Sequence, residues 1–277
     1  MHEAENLFES EQDSASKPEI EVSILLPVRN EGIHLEIMLK MLNAVLDVPS
    51  EVIVIHDEPD DDCVPVVQKI RKTFTNIRTV HNTLGRGVIN AIKTGVHESK
   101  GEYILIFAAD ELGPLLAIKD MLELIYQGCD FVSCTRYTHG GRRLGGSVLG
   151  RTLSSFANRI FSLLSSNQLT DATTGIKMFR RTVFDKLNLQ ANPVGWAVAF
   201  EMSIKAQLQN LKLGEVPIVS IDRLYGGKST FRPLPWIKEY MRWLIWGIIH
   251  LPPFKKNNNQ KVLIRIPKSC PIDNVRK

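Results

Sequence analysis

An acidic pair, Asp110 and Glu111, ends an apolar run in the stretch 103-YILIFAADELGP-114. Carboxylate oxygens are hard ligands that suit a divalent ion such as Mg²⁺ or Mn²⁺. The same residues can instead close a strand and begin the next helix, because acidic side chains stabilise helix N-termini. The local sequence leaves both interpretations open.

A second acidic cluster, 57-DEPDDD-62, follows another apolar run. The carboxylate of Asp57 can accept hydrogen bonds from an N–H of a nucleotide base. We interpret residues 60 to 62 as a solvated acidic turn that begins a helix near Val64. For Asp57 too, a place in a solvated acidic turn without a ligand stays open.

Two glycines, Gly85 and Gly87, flank Arg86 directly before a segment of helical period. Such a loop lets the backbone approach a nucleotide phosphate, with Arg86 beside it. A tight turn without a ligand explains the glycines equally well. The spacing lacks the GxGxxG pattern of a dinucleotide fold.

The elements that position these residues are short apolar strands that alternate with helical segments. Near-continuous apolar runs predict strands covered on both faces, and their alternation with helices predicts an α/β fold with a doubly wound, largely parallel sheet. Ligands of such sheets bind at the edge beyond the carboxyl ends of the strands, here called the mouth of the sheet. Asp57 and Asp110 are therefore expected at the mouth. The predicted strands are 22–27, 51–55, 77–80, 103–107, 130–134 and 215–219.

Composition indicates a globular protein: 44% of the 277 residues are hydrophobic and 23% are charged. Six acids among residues 1–20 predict a disordered acidic tail, and seven Lys or Arg among residues 255–277 predict a basic tail. The four cysteines lack CxxC spacing, so a disulfide framework or structural zinc is not supported. We expect a cytoplasmic protein without a membrane span and without a nucleic-acid partner.

Seven segments in order carry a family resemblance. Four resemble the nucleotide-binding half of family 2 glycosyltransferases, and three resemble its polyprenyl-phosphate branch, which dolichol-phosphate mannosyltransferases typify. The resemblance implies a GT-A domain over residues 21–232 and inverting transfer from a nucleotide-diphosphate sugar to a dolichyl- or undecaprenyl-type phosphate. The segments are 23-SILLPVRNE-31, 54-VIHDEPDDD-62, 82-NTLGRGVINAIKTG-95, 107-FAADELGP-114, 134-CTRYTHGG-141, 171-DATTGIKMFRR-181 and 222-DRLYGGKSTF-231.

The resemblance implies a donor site and a divalent metal, Mg²⁺ or Mn²⁺, on the diphosphate. The family's Asp-x-Asp metal motif is incomplete, because Ala108 replaces its first aspartate. Asp110, helped by Glu111, is the implied metal ligand. His56 also departs from the family pattern, which leaves the donor base, guanine or uracil, undecided. The implied donor-binding residues are Pro27, Asn30, Glu31, Asp57, Gly85, Arg86, Asp110, Arg223 and Lys228.

By the same resemblance, Arg136, Arg151 and Ser155 bind the acceptor phosphate. A phosphomonoester is largely dianionic at neutral pH and needs no strong general base. Asp171 and Glu201 would therefore orient other groups, and Asp171 fixing Lys177 or Arg180 is the structural alternative. The arginines can also form a basic solvated loop. The implied catalytic residues are Asp110, Arg136, Arg151, Asp171 and Glu201.

The segment 235-PWIKEYMRWLIWGIIHLPPF-254 combines three tryptophans with aliphatic and basic residues. This composition is typical of bilayer interfaces, so we predict an amphipathic interfacial helix over 233–254 and peripheral association with a membrane surface. A core helix or an oligomer contact is the alternative, and the oligomeric state is open. For the whole chain, a soluble sugar acceptor or a catalytically silent nucleotide-sugar-binding scaffold are the alternative functions.

Overall fold

The computed structural model describes residues 19–145, 148–222, 233–253 and 261–266. The strands are β1 (Val22–Val28), β2 (Ser50–His56), β3 (Ile77–His81), β4 (Tyr103–Ile106), β5 (Phe131–Thr135), β6 (Arg142–Gly145), β7 (Lys177–Arg180), β8 (Leu213–Pro217), β9 (Val219–Asp222) and β10 (Leu263–Ile264). The helices are α1 (Gly32–Val45), α2 (Cys63–Ile70), α3 (Val88–Glu98), α4 (Ile118–Tyr126), α5 (Val148–Leu164), α6 (Phe184–Leu187), α7 (Ala197–Leu208) and α8 (Pro233–His250), with short 3₁₀ turns at Gly113–Ala117 and Arg181–Val183.

Eight strands form one sheet in the order β10-β8-β5-β7-β4-β1-β2-β3. All neighbouring pairs are parallel except those of β7, which runs antiparallel to both β4 and β5. The predicted doubly wound, largely parallel sheet is therefore confirmed. The predicted strand 215–219 is divided in two, because β9 leaves the large sheet and pairs with β6 in a two-stranded ribbon.

Apolar layers cover both faces of the sheet. In β1, Ile24 and Leu26 join one layer with α1, α2 and α4, whereas Leu25 joins the opposite layer with α3 and α7. Both layers exclude water from the central strands, which explains why these strands are apolar at nearly every position. Alternate side chains of one strand thus contribute to two separate cores.

The edge strand β10 lies within the range that the sequence assigned to a basic tail. Its backbone pairs with β8, and the backbone N–H of Arg265 donates to the carbonyl oxygen of Glu215 at 3.1 Å. The Arg265 guanidinium also donates to Asp120 of α4 at 2.6 Å. The tail prediction is therefore wrong for residues 263–264. Residues 1–18, 255–260 and 267–277 of the predicted tails lie outside the described residues, as does residue 254 of the predicted interfacial helix.

Helix α8 packs on α7 and α5 through one face. Glu239, Trp243 and Leu244 are buried on this face, and Gly247 lies against Phe161 of α5. The opposite face is apolar yet exposed at Leu234, Ile237, Met241, Ile245 and Ile249. Over the described residues, no helix combines the length and the apolarity that crossing a bilayer requires.

Candidate functional site

Four segments with polar side chains meet at one edge of the sheet. Asn30, Asp57, Asp110 and Arg136 come shortly after the carboxyl ends of β1, β2, β4 and β5. Because these four strands run in the same direction, their carboxyl ends share an edge. Both acids that the sequence assigned to the mouth of the sheet therefore lie there.

Asp57 organises the glycine loop that follows β3. One carboxylate oxygen accepts a hydrogen bond from Nδ2 of Asn82 at 2.8 Å, and the other accepts from the backbone N–H of Gly87 at 3.1 Å. Asn82 also donates to the carbonyl oxygen of Gly85 at 2.7 Å. Sequence reasoning missed Asn82, although its place directly after a predicted strand is the same signal that singled out Asp57.

The loop 85–87 has a conformation that requires glycine. Gly85 and Gly87 have φ values of +97° and +123°, which side chains rarely permit, and α3 begins directly afterwards. A Cβ atom on Gly87 would lie 2.5 Å from Cβ of Pro193. Arg86 is exposed and forms an ion pair with Glu58. Neither glycine therefore places a side chain at the start of α3.

The acidic turn before α2 is a structural clamp, which corrects the solvated interpretation for Asp61. Asp61 is buried and accepts from the backbone N–H of Asn30 at 3.0 Å, while Asp62 accepts from that of Gly32 at 2.9 Å. These bonds fix the start of α1, which has no side-chain cap of its own. Cys63 lies beside both acids and completes a possible three-ligand metal group, but these carboxylates already serve α1.

Asp110 and Glu111 lie in the turn that follows β4, and both are half-buried. Glu111 accepts a hydrogen bond from the Ser220 hydroxyl of β9 at 3.1 Å, so its carboxylate also joins the turn to the small ribbon. In the described part of the chain, Asp110 belongs to no group of three His, Cys, Asp or Glu side chains that could hold an ion together. One or two carboxylates suit an ion whose remaining ligands are phosphates and water. The residues present fit a metal of that kind.

Arg136 forms a buried, bidentate ion pair with Asp171. Its Nε donates to one carboxylate oxygen at 2.7 Å and its Nη2 to the other at 3.0 Å. Burial opposes the charge of Asp171, but the adjacent guanidinium holds the pKa of this carboxyl below its usual value. The expected alternative, in which Asp171 fixes Lys177 or Arg180, is therefore wrong as to the partner.

Hydroxyl groups complete the surroundings of Arg136. Nη2 also donates to the hydroxyl of Thr173 at 3.0 Å, and Tyr137 donates to Ser154 at 2.9 Å. Of the α5 hydroxyls, that of Ser154 accepts from Arg136 Nη2 at 3.4 Å. The neighbouring Ser155, to which the family resemblance assigns the acceptor phosphate, stays a prediction.

The side chains of three predicted phosphate-binding cations lie outside the described residues. The backbone of Arg151 is part of α5, but its side chain is not described. Arg223 and Lys228 also lie outside the described residues. Arg142 and Arg143 begin β6, the strand that follows the Arg136 loop.

Glu201 contacts the loop before α7, away from Arg136 and Asp171. It is buried in α7 and accepts hydrogen bonds from the backbone N–H groups of Gln190 at 2.5 Å and Ala191 at 2.7 Å. It also pairs with Lys205 at 2.6 Å. The carboxylate thus orients the loop before α7, and no described contact joins it to Arg136.

Two further buried ionisable groups, Glu215 and Lys177, lie near the segment 170–172. Glu215 of β8 accepts from the backbone N–H groups of Thr170 at 2.9 Å and Asp171 at 3.1 Å, and burial raises its pKa to about 7. Lys177 donates to the hydroxyls of Ser133 and Ser203, both at 2.8 Å, and burial lowers its pKa to about 8. Sequence reasoning assigned no role to Glu215.

Comparison with known proteins identifies a family and a fold. Residues 23–187 match the model of glycosyl transferase family 2. The fold is similar to that of glucosyl-3-phosphoglycerate synthase from Mycobacterium tuberculosis. Its structure with Mn²⁺, UDP and glucosyl-3-phosphoglycerate gives a TM-score of 0.59 at 18% identity and covers 83% of this chain and 79% of that one. The complex with phosphoglyceric acid gives 0.61 at 17% identity and covers 85% and 82%.

Three relatives are similar in sequence. A dolichol-phosphate mannosyltransferase of Pyrococcus furiosus is 25% identical over 81% of this chain, and one of Mycosarcoma maydis is 24% identical over 79%. Glycosyltransferase AglD of Haloferax volcanii is 25% identical over 74% of this chain. The match spans 64%, 79% and 34% of the lengths of these three proteins.

Proposed function

Because the chain belongs to glycosyl transferase family 2, we propose that it transfers a sugar from a nucleotide-diphosphate sugar to a polyprenyl phosphate, with inversion at the anomeric carbon. One observation carries this proposal: the glycine loop held by Asp57, the strand-end Asp110 and the buried Arg136 share one edge of the sheet. Such an edge can hold two phosphorylated substrates side by side. The dolichol-phosphate mannosyltransferase relatives support the class of acceptor.

The donor nucleotide lies, in this proposal, over the ends of β1, β2 and β3. The loop 85–87 and the first N–H groups of α3 face the diphosphate. Asp57 accepts from the base in addition to holding Gly87. Arg86 exchanges its exposed ion pair with Glu58 for a phosphate oxygen. Pro27, Asn30 and Glu31 shape the adjoining wall. Arg223 and Lys228, which lie outside the described residues, are further candidates for binding the diphosphate.

A divalent metal, Mg²⁺ or Mn²⁺, would be held by Asp110, with Glu111 beside it. When bound, such an ion neutralises charge on the diphosphate leaving group. The Mn²⁺ and Mg²⁺ complexes of the structural neighbours support a divalent ion in general. Glu111 also fixes the turn through Ser220, so Asp110 is the principal protein ligand in this proposal.

The acceptor phosphate binds near Arg136, with Arg151 and the α5 hydroxyls as further partners. Asp171 holds the guanidinium plane in one orientation, and this preorganisation lowers the cost of aligning the nucleophilic phosphate oxygen. The same contact neutralises much of the Arg136 charge. A dianionic phosphate therefore needs further cations, for which Arg151, Arg142 and Arg143 are candidates.

A transfer assay tests the proposed function. Purified protein with Mg²⁺ or Mn²⁺ is offered GDP- and UDP-linked hexoses together with dolichyl phosphate, undecaprenyl phosphate or a soluble phosphomonoester. We expect a labelled sugar to enter the lipid phase with at least one donor. Transfer only to the soluble acceptor would overturn the lipid assignment. Nucleotide binding without transfer to any acceptor would support a silent scaffold instead.

We also propose that the exposed face of α8 contacts the cytosolic side of a membrane. This face presents apolar residues with Lys238 and Arg242 beside them, a combination that suits an anionic bilayer interface. Met241→Glu should weaken co-sedimentation with anionic vesicles. Met41→Glu on α1 is a matched control, because Met241 and Met41 are 44% and 42% exposed. Equal binding of the two variants and wild type would refute the membrane contact.

A further inference from the structure

Two buried carboxylates from different helices hold three successive backbone N–H groups. Glu201 of α7 accepts from residues 190 and 191, and Glu239 of α8 accepts from Asn192 at 2.9 Å. The Asn192 side chain donates to the second oxygen of Glu239 at 2.7 Å. Hydrogen bonds to a charged acceptor are stronger than those to a neutral one. The segment 190–193 is therefore held in place, although Asn192 and Pro193 are exposed.

Glu239 is committed to this contact. It also accepts from Nε1 of Trp243 and Nη1 of Arg242, both at 3.0 Å. Burial opposes its charge, but the hydrogen bonds from Asn192, the charge of Arg242 and the hydrogen bond from Trp243 together hold the pKa of this carboxyl below its usual value. A charged, nearly inaccessible carboxylate on the packed face of α8 thus has the loop before α7 as a main partner.

The residue after Asn192 rests on the glycine loop at the mouth. Pro193 approaches Gly87 so closely that a Cβ on Gly87 would lie 2.5 Å from its Cβ and 3.0 Å from its Cα. Gly87 in turn donates its backbone N–H to Asp57 at 3.1 Å. A continuous series of contacts therefore joins α8 to the loop that precedes α3: Glu239, Asn192, Pro193, Gly87 and Asp57.

We propose that Glu239 is a positioning residue of the donor site, which acts by holding Asn192 and Pro193 against Gly87. This inference rests on the proposed donor role of the loop 85–87. Without the Glu239 contact, Pro193 no longer has a fixed position, and Gly87 loses the packing that keeps its N–H directed at Asp57. The acceptor side contains no member of this series, so the effect is confined to the donor.

The test compares Glu239→Gln with Glu51→Gln. Glu51 is also a buried carboxylate that accepts a side-chain hydroxyl and a backbone N–H, but it lies near the start of β2, away from the mouth. Binding of UDP and GDP with Mg²⁺ is measured by calorimetry, and amide hydrogen exchange is followed over 188–196 and 85–90. Asn192→Ala is a second variant in case Glu239→Gln does not fold.

We expect Glu239→Gln to weaken nucleotide binding about tenfold, which corresponds to about 1.4 kcal/mol. Exchange should accelerate in both segments, and the donor KM should rise while the acceptor KM stays unchanged. Unchanged binding in Glu239→Gln, or equal weakening in Glu51→Gln, would overturn the inference. If wild type binds neither nucleotide, the proposed function fails and this inference fails with it. If wild type binds a nucleotide and Glu239→Gln and Glu51→Gln bind it as tightly as wild type does, only the inference fails.

Discussion

Replacing Asp171 with asparagine should strongly destabilise the protein. The carboxylate is fully buried and accepts two hydrogen bonds from the Arg136 guanidinium, at 2.7 and 3.0 Å. It accepts another from the backbone N–H of Arg136 at 3.2 Å. An amide has one acceptor oxygen, and its NH₂ group would face a donor. The Arg136 charge would then be buried without its counter-charge, which costs about 3–5 kcal/mol in comparable pairs.

Urea unfolding monitored by tryptophan fluorescence measures this effect. We expect a lower midpoint for Asp171→Asn at an unchanged dependence on urea concentration, because the surface exposed on unfolding is the same. Arg136→Met in the Asp171→Asn background should recover part of the loss, since the uncompensated charge is then gone. A loss below about 1 kcal/mol, or additive losses in the double variant, would refute the buried-pair reasoning.

The same pair predicts a pH dependence with a definite sign. Arg136 holds the folded-state pKa of Asp171 below the ordinary value of 3.8. The unfolded state therefore takes up a proton first as the pH falls, and the stability from this carboxylate is present above pH 3.8. The advantage of wild type over Asp171→Asn should be full at neutral pH and shrink below that value. An advantage that grows on acidification would contradict the assignment.

Three further predictions concern the mouth and its supports. Asp110→Asn should abolish metal-dependent donor binding at an unchanged melting temperature; undiminished metal-dependent affinity would exclude Asp110 as a ligand. Gly87→Ala should cost about 1–3 kcal/mol in thermal unfolding, because its φ of +123° and Pro193 leave no room for a methyl group; Gly140→Ala, where a Cβ meets nothing within 4 Å, controls for backbone strain alone. Glu215→Gln should gain stability over wild type as the pH rises from 4.5 to about 7, because burial raises the pKa of Glu215 and its ionisation costs stability; a pH-independent difference in urea unfolding would contradict this.

Local sequence determined the sheet and the edge at which ligands bind. Apolar runs of four to six residues predict strands that are covered on both faces, as in a layered α/β fold. The alternation of these strands with helices predicted their largely parallel direction. Polar residues directly after such strands must meet at one edge. Asp57 and Asp110 were therefore placed at this edge without coordinates, and Asn82 obeys the same rule. Arg136 was singled out by the family resemblance and not by its place after a strand.

Tertiary structure alone decided which groups are partners. Asp171 binds Arg136, which is 35 positions away, and the α5 hydroxyl beside Arg136 is that of Ser154. Glu239 and Asn192 are 47 positions apart. The strand β7 enters the sheet antiparallel, and β10 pairs at its edge within an apparently solvated tail. Such pairings depend on how helices and loops pack over the sheet, and the energy of a long-range contact leaves no periodic signal in the residues that make it.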